Sequence, residues 1–355
     1  MPINSPFMNN IKILDKKREW DTLIASFEHS DSYHTYEYHK IVKNETEQPV
    51  LIQYCEGDRI IALPLLLRTI PGSSYMDATS VYGYPGPLTK NIGPDYDNTS
   101  FRAALLKLLY SMEVVSVFSR LNPFIPCQDI ILKNMGEVAF CGKIVNIDLT
   151  MELEDQKKEY NRRLKTHINK ARKNCTIKKA SNDMEIDAFI NLYYENMRRV
   201  NATKNYFFDR NYFFELIRSK DFNTEVLLAV HNESKEIISG AMFVKKNKIV
   251  QYHLSGTDED YLYLNPVKML IDEMRVLATQ ENFGFYNLGG GVGSSEDSLF
   301  HFKSGFSKDF KEFKLWKYIV NESIYKELTD LNKQNTQIIG NGSSGSFFPS
   351  YRQTY

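Results

Sequence analysis

Length, composition and charge already limit what this chain can be. Its 355 residues are enough for two domains, each with its own core, at about 150 residues per domain. The 44 Lys and Arg residues balance the 44 Asp and Glu residues, so no global field attracts nucleic acid or an acidic membrane, and any such partner must bind locally. With 42% hydrophobic and 25% charged residues, we expect a soluble globular protein, not a disordered, collagenous or coiled-coil chain.

Cysteine spacing, apolar runs and the N-terminal residues indicate the compartment. The four cysteines are far apart and form no C-x-x-C pair, which argues against a zinc ribbon, a thioredoxin-like motif and a dense disulfide framework. The longest apolar run, residues 60–67, is far shorter than the about 20 residues of a membrane-spanning helix. The first 17 residues lack an apolar signal core. We therefore expect a cytoplasmic protein.

The first half of the chain alternates short strand and helix patterns. A strand-like IKIL at residues 11–14 leads into a helix on which apolar residues from Trp20 to Phe27 recur at helical spacing. Two glycines and two prolines in YGYPGP, residues 82–87, predict a rigid loop. The other predictions are a β-hairpin of strands 49–55 and 60–68, helices at 36–42 and 101–113, and strands at 114–118 and 144–149.

The second half begins with a basic stretch. Ten Lys or Arg residues and one acidic residue lie between Lys157 and Lys179, and the part up to Lys173, which has no Pro or Gly, predicts one basic helix. Such a helix recognises phosphate groups, as in a polyphosphate, a lipid-linked ligand or RNA, or associates with an acidic membrane surface, or is a solvated face. Further helices are predicted at 183–200, 209–220 and 266–280, and strands at 225–231, 237–245, 249–255, 285–288 and around 313–320.

These patterns predict the α+β class. Each half carries helices on a mixed, mostly antiparallel sheet, and the two halves have similar element order, which favours two domains over one barrel or a doubly wound nucleotide fold. We expect the first domain over residues 11–150 and the second over residues 151–330. Gly, Ser, Asn and Gln dominate residues 331–355, which predicts a flexible tail.

The glycine cluster NLGGGVGSS, residues 287–295, fails as a nucleotide-binding motif. No G-K-[ST] follows it at the spacing of a phosphate-binding loop, and the third position after Gly291 is Ser294 where a dinucleotide-binding fingerprint needs a small glycine-type residue. Glycines permit a close approach to the backbone. The cluster therefore predicts that another chain or a substrate comes close to it.

Lys303 lies among aromatic residues in LFHFKSGF, residues 299–306. A lysine in an apolar setting keeps its charge only at a cost, so it is paired or functional, unless it snorkels from an edge strand or a short helix. The chain contains neither H-E-x-x-H nor G-x-S-x-G, which argues against a zinc hydrolase and a serine hydrolase.

Taken together, these motifs resemble the FemAB-like transferases, which are grouped with tandem GNAT-type acyltransferases. The resemblance covers about residues 11–328 and depends on the order and spacing of weak individual motifs. The motifs are E-W-D-x-L from Glu19, Y-G-Y-P-G-P from Tyr82, H-I-N-K-A-R-K-N from His167, Y-x-x-N-M-R-R ending at Arg199, Y-H-L-S-G-T from Tyr252, N-P-V-K-M-L-I from Asn265, and N-L-G-G-G from Asn287 with F-K-S-G-F ending at Phe306.

The resemblance implies two GNAT-like domains, the first on the acceptor side and the second on the donor side. It implies an N-acyltransferase that moves an acyl or aminoacyl group to an amine of a cell-envelope precursor, such as an amino sugar or a peptidoglycan peptide. The donor it implies is acyl-CoA or aminoacyl-tRNA, with no permanently bound cofactor and no metal. Neither a coiled-coil arm nor the G-x-G/A loop that cradles coenzyme A in ordinary GNAT enzymes is found, so the donor stays open.

The resemblance also assigns residues. Lys303 matches the lysine of the family's F-K-x-x-F motif, which stabilises the charge that develops during transfer, and an ammonium in a dry pocket suits that task. The general base stays open between water and a tyrosine. The implied substrate-binding residues are Tyr82, Tyr84, Arg198, Arg199, Tyr252, Asn265 and Phe302, and the implied donor-binding residues are Gly289, Gly290 and Gly291.

Two other functions stay open. The first is a non-catalytic protein of the same fold that binds an anionic envelope precursor or a partner through its basic helix. The second is RNA binding through residues 157–179. The same basic stretch predicts peripheral contact with the inner membrane face, and tRNA is a candidate partner.

Overall fold

A computed structural model describes residues 10–337 and 347–353 of the chain. The chain forms two compact units: the first ends at Cys141 and resumes at Phe313, and the second is Gly142–Glu312. Within the described residues, no helix is long and apolar enough to cross a membrane.

Helices and strands alternate along the described chain. In chain order they are β1 Ile11–Leu14, α1 Lys17–Ala25, α2 Tyr36–Val42, β2 Glu47–Glu56, β3 Arg59–Thr69, β4 Met76–Thr79, β5 Leu88–Lys90, α3 Thr99–Ser111, β6 Val114–Arg120, α4 Gln128–Ile131, β7 Glu137–Asp148, α5 Leu153–Lys158, α6 Arg162–Asn174, β8 Cys175–Lys179, α7 Asp183–Arg199, α8 Arg210–Arg218, β9 Asn223–His231, β10 Ile237–Lys246, β11 Ile249–Thr257, α9 Pro266–Gln280, β12 Phe285–Gly289, α10 Ser298–Lys303, β13 Asp309–Ile319 and α11 Glu322–Gln337. Short 3-10 helices include Glu259–Leu264 and Val292–Ser294.

The first unit is a mixed sheet with the order β1-β2-β3-β4-β6-β13, in which β5 also pairs with β3. All neighbours are antiparallel except β4 and β6, which are parallel and joined through α3. Phe101, Leu105 and Leu109 of α3 are buried on one side of this sheet, and Trp20 of α1 lies in a separate buried cluster. The predicted hairpin is confirmed as β2 and β3, which pair from Glu47–Arg68 to Glu56–Arg59.

The predicted loop at residues 82–87 is held by buried polar side chains. The Asn122 amide group donates to the Tyr84 carbonyl at 2.7 Å and to the Asp31 carboxylate at 3.1 Å. Gly83 has φ +125°, and a Cβ there would lie 2.3 Å from the Tyr33 ring, so only glycine fits. The loop is therefore fixed in shape, as its glycines and prolines predicted.

The second unit repeats this arrangement with the strand order β7-β12-β11-β10-β9-β8. Here the parallel pair is β11 and β12, joined through α9. Helix α9 packs on one face with Met269, Leu270 and Met274 fully buried. Helices α7 and α8 contact the strands from the opposite face, where a Cβ at Gly256 would meet the α7 backbone at 2.3 Å. The predicted α+β class, with helices on mixed sheets, is confirmed.

The division of the chain differs from the predicted boundaries at residues 150 and 330. Strand β13 pairs with β6 from Leu315–Arg120 to Ile319–Ser116. Trp316 is fully buried in the first unit, and its indole N–H donates to the Met135 carbonyl at 2.6 Å. Residues 313–330 therefore complete the first unit and not the second, because strand pairing joins segments that are distant in sequence.

The predicted flexible tail also differs from the structure over its described parts. Helix α11 continues to Gln337, and residues 347–353 pack on the first unit. The Tyr351 hydroxyl lies 2.7 Å from the Ser116 hydroxyl, and Arg352 donates to the Thr69 carbonyl at 2.7 Å and to the buried Asp77 carboxylate. The rest of the predicted tail, residues 338–346 and 354–355, lies outside the described residues.

The single basic helix predicted up to Lys173 is instead two helices, α5 and α6, and residues beyond Asn174 form β8. The Asn161 side chain caps α6 by accepting from the Leu164 N–H at 2.7 Å. Its neighbour Tyr160 is buried, and the phenol donates to Asp272 at 2.9 Å. A capping residue and a buried anchor break the helix here, which charge counting does not detect.

Candidate active site

The parallel strands β11 and β12 form a fork. They pair from Ile249–Phe285 to Gln251–Asn287. Both strands then continue, β11 to Thr257 and β12 to Gly289, and no further pair joins them in the described chain. Parallel strands that stay together bond at even intervals. Beyond this point the facing edges of the two described strands are not paired with each other.

Asn287 fixes the point where the strands part. Its side-chain carbonyl accepts from the Gly289 N–H at 2.8 Å, and its amide group donates to the Gln251 side chain at 2.8 Å. Asn287 is fully buried, so both bonds form away from water. This side chain bends β12 toward the glycine turn and ties it to β11 at the last paired position.

The glycine turn at residues 289–291 passes close to other groups of the same unit. Gly289 has φ +77°, and a Cβ there would lie 3.2 Å from the Lys303 ammonium nitrogen. A Cβ at Gly291 would lie 2.2 Å from the Asp297 carboxylate. The groups that come close to this backbone in the structure are the unit's own side chains, whereas the sequence predicted another chain or a substrate.

Lys303 ends α10 in a buried position, with 8% of its surface exposed. Its ammonium donates to the Gly290 carbonyl at 2.7 Å. Burial lowers the pKa of Lys303 to about 8, and the charge of Asp297 partly opposes this shift. The ammonium is therefore mostly protonated at neutral pH, and one of its three N–H groups is used by the protein.

Asp297 links the glycine turn to α10. Its carboxylate accepts from the Phe300 N–H at 3.0 Å, which caps the helix, and from the Val292 N–H at 3.2 Å. These backbone bonds hold the pKa of Asp297 below its usual value, so it stays charged. Asp297 therefore both shapes the turn and favours the protonated form of Lys303.

Tyr252 lies on β11 near the start of the open part of the fork. Its hydroxyl lies 2.5 Å from the Ser255 hydroxyl, and its ring packs 6.0 Å from the Phe243 ring. Burial raises the pKa of Tyr252 to about 12. The phenol therefore stays protonated and suits donation of a hydrogen bond, whereas a tyrosine general base would need a lowered pKa.

Asn265 lies at the start of α9, and Phe302 lies on α10. Asn265 has φ +56° at the start of α9 and donates to the Tyr263 carbonyl at 3.3 Å. Phe302 is half-buried, and the Lys268 ammonium lies 5.7 Å from its ring centre. Phe302 directly precedes Lys303 in α10, so the Lys268 ammonium contacts the helix that carries the buried lysine.

The two predicted arginines differ in their surroundings. The Arg199 guanidinium donates to the Thr257 carbonyl at 3.3 Å and to the Asn196 side chain, so it ties α7 to the end of β11. Arg198 is exposed. The internal bonds of Arg199 therefore leave fewer of its N–H groups for a substrate than exposed Arg198 has.

Tyr82 and Tyr84 belong to the first unit. Tyr82 is 60% exposed, and the Arg120 guanidinium lies 5.3 Å from its ring centre. The Tyr84 ring packs against the rings of Tyr33 and Phe313, at 6.0 Å and 5.0 Å, and burial raises the pKa of its phenol. Of the two, Tyr82 is the one whose ring faces solvent.

Sequence reasoning missed three contributors: Asn287, Asp297 and Lys268. Asn287 and Lys268 stand inside quoted motifs, but their bonds to Gln251 and His167 join distant segments. Asp297 had a local signal, since an acidic residue before a short apolar run is typical of a helix cap. In the described residues, no group of three or more His, Cys, Asp or Glu side chains could hold a metal ion.

Each unit contains a parallel strand-helix-strand element within mixed β-structure, and this defines the class as α+β. Residues 216–332, about a third of the chain, match the FemAB family, and this segment includes β11, α9, β12 and Lys303. The predicted resemblance to FemAB-like and GNAT-type acyltransferases is confirmed.

Solved structures show the same fold over most of the chain. The structure of FemX has a TM-score of 0.66 at 14% identity and covers 89% of this chain and 99% of its own. A conserved protein of unknown function from Bacteroides thetaiotaomicron VPI-5482 has a TM-score of 0.55 at 12% identity, with 87% and 99% covered. The C-terminal domain of a putative lysylphosphatidylglycerol synthetase from Agrobacterium fabrum has a TM-score of 0.52 at 13% identity, with 92% and 98% covered. No curated protein sequence gave a match.

Proposed function

We propose that this chain is an N-acyltransferase that moves an acyl or aminoacyl group from acyl-CoA or aminoacyl-tRNA to an amine of a cell-envelope precursor. The observation that carries the proposal is the buried Lys303 ammonium at the glycine turn where the fork ends. A fixed cation in a dry pocket stabilises the negative oxygen that forms when an amine attacks an ester or thioester carbonyl.

The proposed reaction takes place in three steps. The acceptor amine attacks the donor carbonyl carbon, a C–N bond forms, and the carbonyl oxygen takes up the electron pair as an oxyanion. Lys303 donates a hydrogen bond to this oxyanion. The C–S or C–O bond of the donor then breaks, and the extra proton of the attacking nitrogen passes to the leaving thiolate or alkoxide, directly or through water.

Other side chains position the reactants in this proposal. The Tyr252 phenol donates a hydrogen bond, Asn265 and Phe302 contact the donor, and Gly289, Gly290 and Gly291 allow the acyl group to approach the backbone. Tyr82, Tyr84, Arg198 and Arg199 remain our candidates for substrate binding, with only the free N–H groups of Arg199 available. Because burial keeps Tyr252 protonated, water removes the proton that the acceptor ammonium must lose.

The envelope as the site of action is supported by the family match and by one structural neighbour. The name of the Agrobacterium fabrum protein refers to an aminoacylated phospholipid. An aminoacyl group on an envelope component is within the chemistry proposed here. The amino sugar or peptide amine of a glycan or peptidoglycan precursor remains the proposed acceptor.

The proposal is tested by transfer assays with radiolabelled acetyl-CoA and with charged tRNA, each offered amino-sugar and peptide amine acceptors. Lys303→Ala is expected to lower turnover about 100-fold, as loss of a single oxyanion donor does. The matched control is Lys308→Ala, which removes an exposed lysine whose ammonium only donates to the Ser304 carbonyl. Turnover by Lys303→Ala within a few fold of wild type, with an unchanged melting temperature, would falsify the proposed role.

A thermal-shift comparison of acetyl-CoA, coenzyme A, charged tRNA and uncharged tRNA separates the donors. A ligand at 100 times its dissociation constant stabilises the folded chain by about 2.7 kcal/mol. Stabilisation by coenzyme A species points to an acyl-CoA enzyme, and stabilisation by charged tRNA alone points to an aminoacyl transferase. Saturable binding of an anionic precursor with no transfer from any donor would instead support the non-catalytic binding protein.

A further inference from the structure

Helix α6 carries a cationic stripe on one face. Arg163, His167 and Lys170 stand at positions i, i+4 and i+7, which lie above one another on a helix. Arg163 is exposed, and in the described part of the chain none of the three contacts a carboxylate. Lys170 donates to the Tyr263 carbonyl at 3.0 Å and lies over the Tyr263 ring.

Lys268 of α9 completes the stripe. Its ammonium lies 2.7 Å from His167 Nδ1, so the lysine donates and the neutral imidazole accepts. Lys268 also lies over the Phe302 ring, and no carboxylate contacts it in the described chain. The four side chains Arg163, His167, Lys170 and Lys268 are called the α6–α9 stripe below.

Electrostatics favour an anion at this stripe. Burial and the charges of Lys268, Arg163 and Lys170 lower the pKa of His167, and burial and Arg163 lower the pKa of Lys268. Positive groups that depress one another's protonation are stabilised when a negative ligand binds between them. The stripe therefore has charge for which the described protein supplies no partner.

Other basic residues of the same region are already neutralised. Arg172, also on α6, pairs with Asp272 and Glu273 at 3.0 Å and 2.9 Å. Lys178 pairs with Glu185, and Lys179 lies 3.2 Å from the Glu225 carboxylate. Ion pairs on the protein thus remove charge from part of the basic stretch but not from the α6–α9 stripe.

Helix α10 links the stripe to the proposed oxyanion donor. Lys268 contacts Phe302, whose neighbour Lys303 is the proposed oxyanion donor. From Arg163 to Lys170 the helix rises about 10 Å, which is longer than one phosphate group. A ligand that reaches the fork and also covers the stripe therefore carries at least two negative groups along its length.

We propose that the α6–α9 stripe binds consecutive phosphate groups of the donor co-substrate, as a pyrophosphate or a phosphodiester chain, and so holds the donor's acyl carbonyl near Lys303. This inference rests on the proposed transferase function. Arginine and lysine bind phosphate oxygens directly, and the neutral His167 orients Lys268. Phosphate recognition, one of the functions that the basic stretch predicts, is thereby assigned to four residues.

Direct binding tests the stripe without relying on turnover. Titration calorimetry with coenzyme A and with a ten-nucleotide single-stranded RNA, at several salt concentrations, gives affinity and salt slope. The double variant Arg163→Gln/Lys268→Gln is expected to weaken binding of the true donor chemistry by tenfold or more. For RNA it is expected to reduce the slope of log K against log salt by about 0.7 for each phosphate that the protein no longer neutralises.

Matched variants make the result specific. Lys165→Gln removes the same charge from α6, but its side chain points about 200° around the helix from Arg163, so binding is expected to stay within twofold. Arg163→Glu reverses the charge of an exposed residue and is expected to leave the fold intact. It therefore tests the stripe even if Lys268→Gln lowers the melting temperature. Lys303→Ala is expected to leave binding unchanged, because it acts on the carbonyl and not on the phosphates.

Each outcome decides one of the two proposals. Equal affinity in wild type, the double variant and Arg163→Glu for both coenzyme A and RNA overturns the stripe. An effect of the variants only on binding to vesicles with anionic lipid also overturns it, in favour of membrane contact. Stripe-dependent binding of coenzyme A or RNA without any acyl transfer supports the stripe and instead counts against the transferase.

Discussion

The two units contain the same strand-helix-strand element, but only one of them is open. In the first unit β4 and β6 pair from Met76–Val114 to Thr79–Phe118, and the contact continues beyond the strand as the Ser80 N–H donates to the Phe118 carbonyl at 2.9 Å. In the second unit, pairing of β11 and β12 stops at Asn287 although both strands continue.

Side chains reinforce this difference. The Arg120 N–H donates to the Ser80 hydroxyl at 3.2 Å, so the first pair is joined to its end. In the second unit the Asn287 side chain instead takes the Gly289 N–H, and the freed backbone becomes a glycine turn against Lys303. A pair that is bonded throughout has no room for a substrate group. This difference supports our proposal that the chemistry takes place in the second unit.

After loss of Lys303 itself, the largest expected effect on turnover comes from filling the glycine turn. Gly291→Ala would place a Cβ 2.1 Å from the Ser295 carbonyl and 2.2 Å from Asp297, so the turn and the α10 cap must move, and turnover is expected to fall at least tenfold. Gly136→Ala in the first unit places a Cβ 2.2 Å from the Lys317 carbonyl at φ +72°. It should lower the free energy of unfolding without lowering turnover in the folded fraction. Equal turnover losses in both variants would remove the distinction between the units.

The pH dependence of transfer is expected to follow Lys303. Turnover should fall as pH rises through about 8, because the ammonium then loses the proton that it donates. Asp297→Asn keeps a good helix cap but removes the charge that favours the ammonium, so this alkaline limb should move to lower pH. Asp97→Asn, an exposed change near α3 in the first unit, serves as the control. An unshifted limb in Asp297→Asn would show that Asp297 does not position the charge.

The lowered pKa of Lys303 should also make the stability of the folded chain depend on pH. The pKa of Lys303 is lowered from 10.5 to about 8 in the folded chain, so between these values the unfolded chain binds a proton that the folded chain does not. The free energy of unfolding should therefore rise with pH in this window, by up to about 3 kcal/mol. The destabilisation caused by burying the charged ammonium is fully present below pH 8. Denaturant titrations of wild type and Lys303→Met at pH 7.5 and 10 measure it, and a difference between the two that is independent of pH would contradict it.

Smaller effects are expected from the side chains that shape the two strand pairs. Asn287→Ala leaves the buried Gln251 side chain and the Gly289 N–H without this partner, which should cost about 1–3 kcal/mol in the free energy of unfolding and also lower turnover. Ser80→Ala loses one bond, from the Arg120 N–H, and should cost about 1 kcal/mol with turnover unchanged. Urea titration with a parallel activity assay checks both, and a larger cost for Ser80→Ala would reverse the comparison.

Much of the local structure followed from the sequence. Period-two and helical patterns predicted the hairpin of β2 and β3, the helix α9 and the short strand β12. The order of the motifs predicted the FemAB-like resemblance and drew attention to Lys303. These features depend on neighbours within a few residues, or on residue types kept at a given spacing, so they can be read along the chain.

Tertiary structure decided the rest, because the deciding contacts join distant segments. Pairing of β13 with β6 moved residues 313–319 into the first unit, and the docking of Tyr351 on Ser116 placed part of the expected tail there too. Composition could count ten basic residues between Lys157 and Lys179, but only the fold shows which of them meet a carboxylate. Likewise the glycines predicted a close approach to the backbone, but only the fold shows that Lys303 is buried against Gly290, which lowers its pKa.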